Sequence, residues 1–173
     1  MKKLIATAAL LLMAPAWTLA QNTENQYRTQ GYLFLGMGTG APSYFNPFIV
    51  HVGGGGERFL HKGLSFGVEA GHTNWGGPAY PSAWIASGDF FYHFGRHARR
   101  GGVDPFLLGG ASFVGYYQKG GGEHSPAGNF GGGADLWLAK HAALRLEFRD
   151  VVGATQFWPY THYISFRVGV TFR

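Results

Sequence analysis

The chain lacks cysteine, has few charged residues and, after its first 20 residues, contains no long apolar run. The absence of cysteine among the 173 residues excludes disulfides and cysteine–zinc sites. No stretch beyond residue 20 approaches the ~20 apolar residues of a transmembrane helix. Lys and Arg number 14 against nine Asp and Glu, with no basic stripe. The sequence therefore predicts no nucleic-acid partner.

Aromatic residues and glycines are abundant instead. Aromatics make up 17% of the chain and glycines number 29, whereas charged residues contribute only 13%. This combination indicates strands that face something other than water.

Residues 1–20 have the anatomy of a secretory signal peptide. Lys2 and Lys3 precede an apolar run over residues 4–14, and Pro15 ends that run. Small residues before Gln21 suit a cleavage site. We therefore expect two regions, a signal peptide at 1–20 and one domain at 21–173.

Eight segments of the remaining chain are predicted to be strands, each bounded by Gly, Pro, Asn or charged turn residues. Their lengths suit tilted membrane strands, which need about 9–11 residues. The segments are 30–41, 47–60, 63–75, 83–95, 103–118, 127–139, 142–154 and 160–172.

Apolar and polar residues alternate along these segments. In the seventh, Leu144 and Leu146 oppose Arg145 and Glu147. A period of two places such sets on opposite faces of a sheet. A soluble barrel turns the apolar face inward and a membrane barrel turns it outward.

Two features favour the membrane barrel. The lysines outside the signal peptide lie at turns, and aromatic residues gather near both strand ends, as bilayer interfaces select. The predicted outer aromatic rim is Tyr44, Phe45, Trp75, Tyr80, Trp84, Trp158 and Tyr160, extended by Tyr116, Tyr117 and Tyr163. The belt predicted at the other end is Phe59, Phe94, Phe106, Trp137 and Phe172.

The inward face then collects charges of both signs. A charge buried alone is very costly, so these groups are expected to pair and to fill the narrow interior. A catalytic or ion-conducting core is the alternative. The expected interior ion-pair network is Glu57, Glu69, Asp89, Asp135, Arg145, Glu147, Arg149 and Arg167, with His51 and His93 on the same side.

Two residues disturb the strict alternation, and one repeat supports it. Arg58 and Asp150 fall on the lipid face, which predicts either an interfacial position or a bulge that shifts the phase. An offset of 78 residues superimposes residues 53–55 on 131–133, both Gly-Gly-Gly. The match indicates two related halves or simply two similar hairpins. Either way it predicts that the second and third strands pair in the same register as the sixth and seventh strands.

At residues 144–150 (LRLEFRD) and 163–173 (YISFRVGVTFR) the chain resembles the OmpA/OmpX-type outer-membrane barrels. The resemblance implies an all-β, eight-stranded, antiparallel up-and-down transmembrane barrel in the cell outer membrane, with both termini in the periplasm. It also implies that the assembly machinery reads an aromatic residue at the end of the last strand. Here Phe172 is followed by Arg173.

The resemblance leaves the function open. Some small outer-membrane barrels modify lipid A as deacylases or acyltransferases, so an enzyme is one alternative and a narrow pore another. The chain lacks the deacylase pattern of His and Ser two residues apart, since His162 and Ser165 are three apart and lie on opposite faces. The other residues considered for such a triad are His72, His124, Ser43, Ser82 and Ser125.

We expect no catalytic residues, no metal site and no cofactor. His93 and His97 are four apart, but a strand does not hold that spacing on one face. The predicted role is structural, or surface interaction through the outer loops. The expected partners are outer-membrane lipid, lipopolysaccharide and, through the C-terminal strand, the assembly machinery, and we expect a monomer.

Overall fold

The computed structural model describes residues 29–41, 48–61, 63–75, 82–94, 101–118, 121–153 and 161–173. The predicted signal peptide lies outside these residues. No helix long and apolar enough to cross a membrane occurs in the described part of the chain.

Eight antiparallel strands close into one barrel, each paired with its neighbours in sequence and β1 paired with β8. This confirms the predicted all-β, up-and-down fold. The strands are β1 (Thr29–Ala41), β2 (Phe48–His61), β3 (Leu64–Trp75), β4 (Ser82–His93), β5 (Val103–Gln118), β6 (Gly121–Trp137), β7 (Ala142–Gly153) and β8 (Thr161–Phe172).

The barrel has two distinct ends. We call the end with the β1–β2, β3–β4, β5–β6 and β7–β8 connections the loop end, and the opposite end, where Thr29 and Arg173 lie, the terminus end. At the terminus end, Gly63 in the β2–β3 turn has φ = 86°, a conformation that glycine adopts without a steric penalty.

One predicted boundary is wrong. The sequence predicts that the sixth strand begins at residue 127, but β6 begins at Gly121 and pairs with β5 as far as Gln118. The turn-forming residues Gly122 and Pro126 suggested a loop. Pairing with the long β5 strand overrides that local preference, so β5 and β6 form one long hairpin.

The outer wall is apolar and the interior is polar. On β3, Phe66 and Val68 are exposed while Ser65 and Glu69 are buried, and β7 and β8 follow the same rule. Exposed Leu, Val and Phe side chains occur on all of β1 to β8, and Val68 is 59% exposed. Because such a surface is unfavourable in water, lipid is its natural solvent.

The 78-residue repeat is visible in the register. Glu57 on β2 pairs with Gly67 on β3, and Asp135 on β6 pairs with Arg145 on β7. Both members of the second pair lie 78 residues after the corresponding members of the first. The predicted common register of these two hairpins is therefore confirmed.

Candidate functional site

The interior of the barrel is filled by ion pairs built around three arginines. The eight charged residues assigned to it from the sequence all project inward and are nearly inaccessible. They come from β2, β3, β4, β6, β7 and β8, so the network joins most of the barrel wall across its axis.

Arg145 on β7 is the centre of the half nearer the terminus end. Its Nε and Nη2 atoms donate to the two Asp135 oxygens at 2.9 and 2.8 Å, a bidentate pair. Its Nη2 also donates to Glu57 Oε1 at 2.8 Å. Glu57 accepts further hydrogen bonds from Gln30 and from Ser65. Arg145 therefore holds β7 to β6 and, across the interior, to β2.

Arg149 and Arg167 form a second cluster towards the middle of the barrel. Arg149 donates to Glu147 and Asp89, each at 2.9 Å. Arg167 donates to Glu69 at 2.8 Å and contacts Glu147 at 3.3 Å. Each guanidinium thus binds carboxylates from different strands, and this pairing offsets the cost of burying the charges.

Aromatic rings cover the guanidinium faces. The Arg145 guanidinium carbon lies 4.4 Å from the Tyr32 ring centroid and 4.7 Å from that of Phe106. Arg167 lies 4.4 Å from the Phe34 ring centroid. These distances are those of cation–π contacts, which strengthen when water is excluded.

The glycine runs of β2 and β6 make room for those rings. A Cβ atom on Gly55 would lie 2.7 Å from the Tyr32 hydroxyl, and one on Gly133 would lie 2.8 Å from the Phe106 ring. Both distances are shorter than real contacts, and the backbone oxygens of Val68 and Leu146 would lie closer still, at 2.5 and 2.2 Å. A side chain at either position would therefore clash with a ring and with the neighbouring strand. The glycines relieve crowding, as close approach inside a strand requires.

His93 lies nearer the terminus end, between two carboxylates. Its Nε2 atom is 3.1 Å from Glu57 and its Nδ1 atom is 3.1 Å from Asp104. Carboxylates accept but do not donate, so both ring nitrogens donate and the ring is an imidazolium. Asp104 was not predicted, because the run from Pro105 to Leu108 hides the alternation of β5.

An apolar layer lies over the ion pairs at the loop end. Its inward side chains are within four residues of the strand ends there and are all buried. The sequence patterns assigned only polar groups to the interior and missed this layer, although Ile85 shares the inward parity of Asp89. The layer consists of Ile49, Ala83, Ile85, Val114, Val151 and Tyr163, with Ala127 against it.

The aromatic belts are only partly as expected. Of the predicted outer rim, Tyr44, Phe45, Tyr80, Trp158 and Tyr160 lie outside the described residues, as does the side chain of Trp75. Trp84 is half-buried on the outer wall beside Phe113, at 5.7 Å between ring centroids.

Four other belt residues point inward. Phe59 pairs with inward Ser65 on β3, and its ring centroid lies 4.9 Å from that of buried His93. Tyr163 belongs to the apolar layer, and Phe106 and Trp137 are buried at the terminus end. Nearness to a strand end does not decide which face a side chain takes; its parity along the strand does. Phe94 is exposed as expected.

Arg58 and Asp150 both keep the outward phase. The irregularity in β2 falls between Phe59 and His61, after Arg58, which is exposed near the terminus end. The register around Asp150 is unbroken on both sides, so no bulge moves it inward.

The candidate triad residues do not come together in the described part of the chain. His72 and His124 are exposed, whereas Ser125 and Ser165 are buried, in line with the opposite-face argument for His162 and Ser165. Ser43 and His97 lie outside the described residues. In the described part of the chain, no group of three or more His, Asp or Glu residues could hold a metal ion.

Several solved structures share this architecture. Neisserial surface protein A (NspA) matches with a TM-score of 0.68 and 13% identity, over 86% of this chain and 99% of that one. The N-terminal barrel domain of OprF from Pseudomonas aeruginosa has a TM-score of 0.59 and 17% identity, over 83% of this chain and 96% of that domain.

A third similar structure is Ail, the attachment invasion locus protein of Yersinia pestis. It matches with a TM-score of 0.53 and 7% identity, over 85% of this chain and 99% of that one. All three are small eight-stranded outer-membrane barrels. This chain has the fold of the OmpA/OmpX-type barrels.

An OmpA/OmpX-type barrel with an apolar outer wall lies in an outer membrane. At these identities the likeness concerns the fold. No protein-family model matches the chain, and no curated protein matches it in sequence. Its function must therefore be argued from its own residues.

Proposed function

We propose that this protein is a closed, non-enzymatic outer-membrane barrel that acts on its surroundings through the loop end. The observation that carries the proposal is the filled interior, in which three buried arginines are each paired with carboxylates from other strands. Such an interior makes the barrel wall rigid. The loops are then the part of the protein that can adapt to a partner.

The ion pairs also support a closed barrel. A hydrated solute passing through would have to separate Arg145 from Asp135 and Arg167 from Glu69, all with nearly inaccessible side chains. Breaking a buried pair costs several kcal/mol, about 3–5 for removal of one partner. The apolar layer at the loop end adds a second barrier, because it offers an ion no compensating ligands.

The loop connections are suited to surface contacts. Residues 42–47, 76–81, 119–120 and 154–160 join the strands at that end and include Tyr44, Tyr80 and Trp158. Rings of this kind contribute much of the energy at binding surfaces. The names of NspA and Ail refer to a surface and to attachment, which supports the same kind of role here.

The remaining parts of the proposal concern the membrane. We place the terminus end in the periplasm, lipid and lipopolysaccharide against the apolar wall, and the last strand in contact with the assembly machinery during insertion. The mature protein is proposed to be a monomer, because the interior ion pairs form within one chain.

Planar-bilayer recording tests the closed barrel. The purified protein is expected to give no stable channels, and so is Arg167→Ala, because the neighbouring ion pairs and the apolar layer stay in place. Large, long-lived channels from the unmodified protein would overturn the proposal. Mass spectrometry of lipid A from cells with and without the protein tests the non-enzymatic part, with unchanged acylation expected.

Loop replacement tests the surface role. Residues 76–81 and 154–160 are replaced with Gly-Ser segments of equal length, and heat-dependent gel mobility confirms that the barrel still folds. Adhesion of producing cells to surfaces and to one another is then expected to fall to the level of cells without the protein. Full adhesion by correctly folded loop variants would contradict the role assigned to the loops.

A further inference from the structure

One charged side chain on the outer wall has no ion-pair partner in the described part of the chain. The alternation of the strands places two charged side chains on this wall, Arg58 on β2 and Asp150 on β7. A hydrogen bond of 2.8 Å joins Asp150 to His162 on the neighbouring strand. No described acidic side chain forms an ion pair with Arg58. Unpaired charges on a lipid-facing wall are costly, so this guanidinium requires a partner from outside the chain.

Arg58 lies near the membrane interface at the terminus end. It is exposed and stands three residues before His61, the last residue of β2. Strands rise about 3.3 Å per residue and tilt by about 45° in a membrane barrel, so its backbone is roughly 7 Å from the strand end along the membrane normal. The side chain can therefore keep its stem along the apolar wall while the guanidinium reaches the headgroups.

The surroundings of this guanidinium are apolar and contain no competing anion. Arg58 pairs with Phe66 on β3 and is followed by Leu60 on its own face, and both apolar side chains are exposed. The carboxylates near that end, Glu57 and Asp104, are buried in the interior, where both contact His93. The positive charge on the wall is therefore available to an external anion.

A shallow groove lies beside the guanidinium, on the side towards the middle of the barrel. Gly56 forms its floor, since a Cβ atom there would meet only the Gln30 backbone oxygen, 3.5 Å away. Gly56 pairs with Gly31 on β1 and with the exposed Val68 on β3. Gly31 is covered, because a Cβ atom on it would lie 2.6 Å from the Phe172 ring. The groove therefore runs between that ring and the valine side chain.

We propose that Arg58 binds the phosphate of a glycerophospholipid in the leaflet at the terminus end, with one acyl chain lying over Gly56. A guanidinium stays charged in proteins, and its paired N–H groups match two phosphate oxygens. A phospholipid carries its phosphate at the interface and its chains towards the bilayer centre. The guanidinium and the groove have the same order along β2.

The site rests on the proposed placement of lipid against the apolar wall, and it is independent of what the loops contact. Lys140 provides an internal comparison at the same end. It is exposed, but it lies in the turn between β6 and β7 rather than on the wall. A headgroup attracted by charge alone would use both cations, whereas a lipid held by phosphate and chain together would use only Arg58.

The test is a binding titration of the purified, folded protein in detergent, followed by native mass spectrometry. The probe is dioleoyl phosphatidylglycerol. The comparison ligands are dioleoylglycerol, which has the same chains and no phosphate, and inorganic phosphate. Arg58→Gln removes the charge, and Lys140→Gln is its matched control. Gly56→Val fills the groove. Its matched control is Gly128→Val, at a glycine where a Cβ atom would meet only the Val152 backbone oxygen, 4.0 Å away.

Arg58→Gln is expected to weaken phosphatidylglycerol binding about fivefold, the equivalent of the ~1 kcal/mol that one basic residue contributes near an anionic membrane surface. Gly56→Val is expected to weaken it as well, because the chain loses its place in the groove. Lys140→Gln and Gly128→Val are expected to bind the lipid like the unmodified protein. Dioleoylglycerol is expected to bind the unmodified protein and Arg58→Gln equally.

Equal affinity of the unmodified protein and Arg58→Gln for phosphatidylglycerol would overturn the proposal. The same loss for dioleoylglycerol would show that phosphate is not recognised, and the same loss in Lys140→Gln would show that charge alone attracts the lipid. Unchanged binding by Gly56→Val would contradict the groove, and displacement of the lipid by inorganic phosphate would make free phosphate the ligand.

Heat-dependent gel mobility separates failure of this site from failure of the membrane barrel. Every variant is first checked for the mobility shift of the folded protein, and Arg58→Ala replaces Arg58→Gln if the latter does not fold. Absence of the shift in the unmodified protein would contradict the barrel itself. A normal shift with equal lipid binding by the unmodified protein and Arg58→Gln would contradict only the phosphate site.

Discussion

Removal of Arg145 probes the interior network at its bidentate ion pair. Arg145→Ala takes away both donors of the bidentate pair with Asp135 and one donor to Glu57. Asp135 then keeps the Thr171 hydroxyl, 2.9 Å away, and Glu57 keeps Gln30, Ser65 and His93. Two buried carboxylates thereby lose their guanidinium partner.

The expected cost is large because the partners stay buried. Breaking a buried ion pair by removing one partner costs about 3–5 kcal/mol. The guanidinium also fills the space between the Tyr32 and Phe106 rings, at 4.4 and 4.7 Å. Each such contact contributes about 2 kcal/mol when desolvated, which places the expected loss of unfolding free energy at about 5 kcal/mol or more.

The assay is urea unfolding in lipid vesicles, followed by tryptophan fluorescence and by heat-dependent gel mobility. Arg58→Ala is the control, since Arg58 is exposed on the outer wall near the terminus end. Its free energy of unfolding is expected to stay within about 1 kcal/mol of the unmodified protein. Adding Asp135→Asn to Arg145→Ala is expected to recover part of the loss, because one unpaired charge is removed.

The reasoning is refuted if Arg145→Ala and Arg58→Ala have the same free energy of unfolding within error. It is also refuted if Asp135→Asn makes the Arg145→Ala protein less stable, since the remaining carboxylates would then not be the source of the cost.

Three further substitutions test packing. Gly55→Val forces a side chain against the Val68 backbone oxygen and the Tyr32 hydroxyl, 2.5 and 2.7 Å from the Cβ position, and is expected to cost about 1–3 kcal/mol in urea unfolding. Gly128→Ala meets only the Val152 backbone oxygen, at 4.0 Å, and is expected to be neutral or slightly stabilising. Equal effects at the two glycines would argue against crowding. Arg173→Ala removes a guanidinium 3.8 Å from the Trp137 ring centroid and is expected to lower stability by about 1 kcal/mol and to shift tryptophan emission. Unchanged emission and stability would show that Arg173 does not pack on the Trp137 ring.

Most of the fold could be predicted because the alternation of apolar and polar residues marks each strand and its two faces. Ser65 and Glu69 against Phe66 and Val68 on β3 give strand, face and phase together, and the structure has the same phase. The common register of the two repeated hairpins followed in the same way. The start of β6 could not be predicted, because pairing with β5 is a long-range interaction that Gly122 and Pro126 do not reveal.

The interior could be predicted only in part. The charged residues could be recognised because they occupy the inward positions of alternating strand sequences, where burial makes pairing obligatory. The structure brings all eight of them together. The apolar layer was missed because Ile85 and Val151 resemble any other strand residue. The Asp150–His162 pair could not be predicted, since its partners join only when β7 and β8 pair.

Solvent exposure of the outer wall tests the central claim most directly, and the cysteine-free sequence makes the measurement simple. Single spin labels are placed at Val68→Cys, outward on β3, and at Ser65→Cys, inward on the same strand, with the protein in lipid vesicles. Electron paramagnetic resonance is expected to show the label at position 68 more accessible to oxygen than to a water-soluble nickel complex. The label at position 65 is expected to be shielded from both. Greater access of the nickel complex at position 68 would contradict a wall that faces lipid.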